Sequence, residues 1–156
     1  MIVFRMSREK WKNDLSGAGS EKNGGRWNNK GNKMLYTSAS RALAMAEVAV
    51  NIPLGIIPKD YFLITIEIPD VQPLSIHMST LSGTDWDSKP PSDITQEYGD
   101  IFLNENKYLI FEVPSVVVPG DFNFLLNPLH KDFAKVRIKK IEPFKFDSRF
   151  FGRSSS

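Results

Sequence analysis

The chain has 156 residues, a formal net charge of +2, 41% hydrophobic and 24% charged residues, and no cysteine. That length suits one domain able to bury a core without cross-links, and the composition excludes a disordered or fibrous protein. The missing cysteines exclude disulfides, thiolate metal sites and a cysteine nucleophile.

No apolar run approaches the roughly 20 residues that cross a bilayer. The first residues, MIVFRMSREKWK, lack the apolar region and cleavage site of a signal peptide. A cytoplasmic protein without membrane attachment is therefore expected. A single domain is expected over residues 1–150, followed by a short flexible tail over 151–156.

In chain order, IVFRM reads as a strand, and SREKWKNDLSGAGSEKNGG after it as an irregular polar loop. KMLYTS is a second short strand. Ser38 is then placed to cap ASRALAMAEVAV, the clearest helical stretch, which Pro53 stops. YFLITIEI alternates, with Phe62, Ile64, Ile66 and Ile68 on one face, and so reads as a strand. From Pro69 to about Tyr98 prolines, serines and aspartates break any long element, leaving loops and one short helix around Ile94 to Leu103. KYLIFEVPSVVVPG is an apolar strand interrupted at Pro114, DFNFLLNPLHKDF a turn-rich connection, and AKVRIKKIEPFKF a closing strand with Ala134, Val136 and Ile138 on one side. Strands outnumber helices without a βαβ rhythm, so the fold class is α+β.

From His130 onward there are eight Lys or Arg against three Asp or Glu. Such a run attracts phosphate-bearing partners. Its cations alternate with apolar residues, which favours the solvated face of a half-buried strand over a nucleic-acid interface.

GAGSEKNGG fails both common phosphate-loop patterns. Lys22 stands where the dinucleotide fingerprint needs a third glycine, and Gly25 where a P-loop needs lysine. Glu47 shares a helical face with Leu43, Ala44 and Val50. Burial there demands a cation or hydroxyl donors as partners, unless the position is an edge that reaches solvent. Arg26 follows two glycines and suits a phosphate or carboxylate, or else stacks on Trp27. Tyr36 offers a ring for stacking or a core aromatic. Ser115 in an apolar strand needs a partner, its own backbone included. His77 and His130 lack metal-ligand spacing, so no metal site is expected. A triad of His130, Asp132 and Ser115 is disfavoured because Pro114 directly precedes the serine and no nucleophile elbow surrounds it.

Arg26, Tyr36, Glu47 and Ser115, in that order, together with the run GGRWNNKGNKMLYTSASRALAMAEV, the later block VPSVVVPGDFNFLLNPLH and the ending PFKFDSRF, resemble the RES domain family. That family supplies the toxin of RES–Xre toxin–antitoxin pairs. The resemblance implies an ADP-ribosyltransferase-like α+β fold and cleavage of NAD+ between nicotinamide and ribose, by hydrolysis or phosphorolysis. Some members are ADP-ribosyltransferases acting on protein. NAD+ is then the substrate, with no cofactor. The implied partner is an Xre-type helix-turn-helix antitoxin, nucleic acid being reached only through it. Carried over by position, Glu47, Arg26, Tyr36 and Ser115 are the expected active-site residues, with Arg26, Tyr36, Trp27, Asn28, Asn123 and Asn127 as substrate contacts.

Overall fold

In the computed structural model, which describes residues 1–152, the opening apolar alternation forms β1 (Ile2–Arg8). Val3 and Met6 are buried on its two opposite faces, so β1 is covered from both sides. The remaining strands are β2 (Leu35–Ser38), β3 (Tyr61–Glu67), β4 (Leu74–Ser75), β5 (Ile110–Pro114), β6 (Phe122–Leu126) and β7 (Arg137–Pro143). They form one sheet in the order β4-β5-β6-β2-β1-β3-β7. Only the β4–β5 pair is parallel. Among the described residues there are four α-helices, α1 (Ala18–Asn23), α2 (Arg41–Ala49), α3 (Met78–Leu81) and α4 (Asp93–Glu105). The fold is thus α+β with a mixed sheet, as expected. No helix among the described residues is long and apolar enough to cross a membrane.

The two faces of the sheet carry different cores. On one, Val3, Leu35, Ile64, Ile66, Ile110 and Leu126 pack beneath Leu15, Val71 and Phe133. On the other, Phe111 and Leu125 pack with Trp27 and with Phe102 of α4, while Met6 and Leu63 pack with Ala44 of α2. The candidate site residues Tyr36, Glu47 and Asn123 lie on this second face.

Several local expectations need correction. The polar loop after β1 contains a 3-10 turn at Glu9–Trp11 and the short helix α1. The N-cap of α2 is Ser40, whose side chain accepts from the Leu43 N–H at 3.0 Å; Ser38 remains in β2 with another partner. The proline-rich middle holds β4 and α3 as well as the expected helix, which runs longer as α4.

DFNFLLNPLH is not merely a connection, because it contains β6, inserted between β5 and β2. Its asparagines and proline imitate turn signals, yet Asn123 to Leu126 pair in register with Ser38 to Leu35. In the last strand, Ala134 lies in a 3-10 turn at Lys131–Lys135 and β7 starts at Arg137. Ile141 opposes Ile64, Lys140 opposes Thr65 and Ile138 opposes Ile66, so Lys139 is an extra, bulged residue. Three positions apart, Ile138 and Ile141 would otherwise face opposite sides; the bulge lets both pack on the first core. Lys139 pairs with Glu67 at 3.1 Å and Lys140 with Glu142 at 3.5 Å, which makes this basic stretch a solvated sheet edge.

Of the tail expected over 151–156, residues 153–156 lie outside the described residues. Phe151 is buried, its ring edge-on to Phe146 with centroids 5.4 Å apart.

Candidate active site

The best-defined polar cluster is centred on a carboxylate of α2. Leu43 and Ala44 turn inward from this helix and are buried, and Glu47 stands one turn further along, half-buried. The apolar face does not continue to Val50, which is 54% exposed, so Glu47 sits where the buried stripe meets open space. Its Oε1 accepts two hydrogen bonds, from Ser115 Oγ at 2.7 Å and from Asn123 Nδ2 at 2.7 Å. The partners are thus a hydroxyl and an amide, with no cation in ion-pair contact among the described residues. Both donors converge on one oxygen. Among the described residues no protein donor reaches Oε2.

Each donor is itself held. Asn123 lies in β6 directly opposite Ser38 of β2, and the Ser38 hydroxyl donates to Asn123 Oδ1 at 2.7 Å. Ser115 immediately follows β5, and its N–H donates to the Asp121 carbonyl at 2.8 Å. Its Oγ accepts the N–H groups of Val117 and Val118 at 3.1 and 3.0 Å. With its proton given to a carboxylate and its lone pairs taken by two amides, Ser115 is an orienting group. No hydrolase triad forms. The His130 ring is buried elsewhere, accepting from the Asp132 N–H at 3.1 Å.

The opposite wall is the loop carrying Arg26. A Cβ on Gly25 would lie 2.6 Å from the Tyr36 hydroxyl, so only glycine lets this loop approach the tyrosine closely. Tyr36 accepts the Trp27 N–H at 3.1 Å and donates to Asn28 Oδ1 at 2.6 Å. Burial holds its phenol well above the usual range and therefore protonated. Arg26 Nη1 donates to the carbonyls of Trp86 and Ser88 at 3.0 and 2.9 Å. Burial lowers its pKa, with Glu47 the main opposing influence, and the guanidinium stays charged. It ties the 86–88 segment to the cleft and makes no stack on Trp27.

Helix α4 braces this wall. Gln96 Nε2 donates to the Gly25 carbonyl at 3.1 Å, and Asp100 takes the N–H and side-chain amide of Asn29 at 3.0 and 2.6 Å. Between them Gly99 meets the backbone of Trp27, where an added Cβ would fall 1.4 Å from the carbonyl oxygen.

Between the walls lies a cleft of about 590 Å³ lined by Gly25, Arg26, Tyr36, Glu47, Lys89 and Asn123, among others. That volume is in the range of small-molecule sites. A smaller space of about 170 Å³ lies behind Glu47, bordered by Phe4, Ser38, Ala44 and Val48.

The structure therefore brings together Arg26, Tyr36, Glu47, Ser115 and Asn123. Trp27 borders the cleft from a largely buried position, and Asn28 and Asn127 are not brought in. The Trp27 ring is 3% exposed and packs edge-on against Phe111, centroids 5.6 Å apart. Asn28 is fully buried, its Nδ2 spent on the carbonyls of Ser20, Asn29 and Asn32. Asn127, beyond the far end of β6, bonds Asn106 and the Leu129 N–H. Asn28 and Asn127 shape the scaffold, because burial and a local turn consume their polar atoms. Sequence reasoning missed Ser38, which bonds Asn123, and Asn51 and Lys89, which line the cleft. Only Ser38 left a signal, as a hydroxyl not needed for the helix cap once Ser40 supplies it.

With this geometry in view, the chain matches the family model described as RES domain over residues 2–147. It is 34% identical over 143 residues to the "Prs ADP-ribosylating toxin" of Sphingobium sp. (strain YBL2), covering 90% of this chain and 89% of that one. It is 36% identical over 152 residues to a "Toxin Res" of Photorhabdus laumondii, covering 96% of each. Among solved structures, it is similar to a chain of the M. tuberculosis MbcT–MbcA toxin–antitoxin complex, with a TM-score of 0.68 at 18% identity over 92% of this chain and 84% of that one. That likeness is one of fold.

Proposed function

This chain belongs to the RES domain family, and from that premise we propose that it is the toxin of a toxin–antitoxin pair and acts by cleaving the bond between nicotinamide and ribose in NAD+. The observation that carries the proposal is the clamped Glu47 carboxylate, facing a cleft whose other wall holds Arg26 and Tyr36.

Loss of nicotinamide develops positive charge on the ribose, as in glycoside cleavage. A carboxylate fixed beforehand stabilises that charge without reorganising. Ser115 and Asn123 hold Oε1, which leaves Oε2 to accept from a ribose hydroxyl and to face the cationic carbon. Nicotinamide departs as a neutral group, so no strong general acid is required. Arg26 and Lys89 are the cations bordering the cleft, suited to the two phosphates of NAD+. Tyr36, held protonated, lines the cleft while its hydroxyl serves the loop.

Water or phosphate as acceptor gives a glycohydrolase or a phosphorylase. A protein side chain as acceptor is the second reading, favoured by the name of the Sphingobium relative. The partner is proposed to be an antitoxin of the Xre type, in line with the complex in which the fold-related chain was solved, and the cytoplasm is the proposed site of action.

The test is incubation of the folded, antitoxin-free protein with NAD+, with and without phosphate. Nicotinamide release is expected; none under either condition, nor with added protein acceptors, overturns the reading. ADP-ribose as product identifies water as acceptor, its phosphorylated form identifies phosphate, and label retained on protein identifies transfer.

A further inference from the structure

We propose that Ser38, which borders the space behind Glu47 and not the main cleft, is a positioning residue that acts on the carboxylate through Asn123. The inference deepens the NAD+ reading in its kinetic consequence and stands apart from it in its structural one.

Asn123 is held at both ends of its carboxamide. Nδ2 donates to Glu47 Oε1 at 2.7 Å and Oδ1 accepts from Ser38 Oγ at 2.7 Å. An ionised carboxylate only accepts, so the amide serves Glu47 in one of its two orientations, with nitrogen toward the acid. In that orientation its oxygen points at Ser38, which is 5% exposed. Without the hydroxyl, Oδ1 of the half-buried Asn123 loses its protein donor, and the amide plane is pinned at one end only. Rotation that relieves the orphaned oxygen turns Nδ2 away from Glu47. Ser38 thus secures the direction of a bond it does not itself make.

The position permits a clean set of variants. The space of about 170 Å³ beside Ser38 has room for the methyl of threonine, which suits a strand and keeps the donor. Alanine removes the donor and leaves the strand pairing intact.

Two measurements test the proposal on the full chain. In nicotinamide-release kinetics, Ser38→Ala is expected to lower kcat about ten-fold, the scale of one lost hydrogen bond expressed at the barrier, with KM essentially unchanged; Ser38→Thr is expected to restore kcat. In ¹⁵N NMR without NAD+, the Asn123 side-chain amide, assigned by its loss in Asn123→Ser, is expected to show a downfield, slowly exchanging proton in the wild type and in Ser38→Thr, and to lose both properties in Ser38→Ala. Unchanged kcat in Ser38→Ala, a rise in KM alone, or equal losses in the alanine and threonine variants overturn the proposal. An unchanged Asn123 amide signature in Ser38→Ala also overturns it, whether or not the protein cleaves NAD+. A wild type that releases no nicotinamide counts against the enzymatic reading, and the amide signature then decides the role of Ser38 alone. Should Ser38→Ala fail to fold, Ser38→Cys keeps the volume with a weaker donor and is judged by the same criteria.

Discussion

Ser115 Oγ donates to Glu47 Oε1 across 2.7 Å, joining residues 68 positions apart in the chain. Because two backbone amides fix the serine oxygen, the hydroxyl is an orienting donor. Ser115→Ala is therefore expected to lower kcat for nicotinamide release about ten-fold without abolishing it. It also strands the Val117 and Val118 N–H groups, costing ~1–3 kcal/mol if they stay dry. Steady-state kinetics with thermal melts checks both; a complete loss in a well-folded variant would point to a nucleophile.

Glu47→Gln keeps an oxygen for Ser115 and Asn123 but removes the charge. Activity is expected to fall ~100-fold or more, the scale of losing one preorganised electrostatic partner, with the melting temperature nearly unchanged. Neutralising Lys135, Arg137 and Lys139 on the sheet-edge side of the molecule is expected to leave nicotinamide release intact. Parallel assays of the two variants distinguish an enzyme from a nucleic-acid-binding module.

Arg26→Ala removes the donor to the Trp86 and Ser88 carbonyls. Faster amide hydrogen exchange is expected across the 86–89 segment, together with a higher KM. Arg26→Lys recovers only part of either, because one ammonium does not reproduce the planar guanidinium fork. Hydrogen exchange read by mass spectrometry follows the first effect; protection equal to wild type in Arg26→Ala would refute the tether.

Gly99→Ala places a methyl where the Trp27 carbonyl already sits. The expected result is a loss of ~3 kcal/mol or more, typical of strong overpacking, accompanied by lost activity although Gly99 borders no part of the cleft. Denaturant unfolding measures it; a wild-type midpoint would mean that the loop and helix separate freely.

Tyr36 titrates higher folded than unfolded, because burial disfavours the phenolate. The folded state therefore binds the proton more tightly. Its contribution to stability is fully present below the unfolded pKa of about 10 and is lost as pH rises from there toward the folded value. Tyr36→Phe is expected to be less stable at neutral pH, since Trp27 N–H and Asn28 Oδ1 lose their partner, but to show a flatter decline above pH 10. Urea midpoints between pH 8 and 11 test this.

Periodicity was informative where burial alone shaped the sequence. β1, β3 and β5 and the body of α2 follow apolar alternation or helix propensity, and all were legible. β6 was not, because Asn123 within it serves the carboxylate and Asn127 just after it a turn, so two polar residues mimic a loop. β7 hid its start and its bulge, since an inserted residue breaks the period that the eye follows. In the site, Glu47 was readable as a charge on an apolar face. Arg26 was readable as a candidate substrate cation but not as a tether, for the 86–88 segment it holds is brought beside it only by the fold. Asn28 lay in the most suggestive motif of the chain and proved to be part of its foundation, while Trp27 both packs on Phe111 and borders the cleft.

The cross-strand pair of Ser38 and Asn123 has one more implication. Side chains alternate faces along a strand, so a slip of one residue between β2 and β6 turns Asn123 to the far side of the sheet. Glu47 then loses its amide even though every residue of the site is present in the chain. Strand register is therefore part of the chemistry: a sheet that zips up one step out of phase yields a protein of nearly the right shape with a disarmed carboxylate, and competence arrives only with correct alignment.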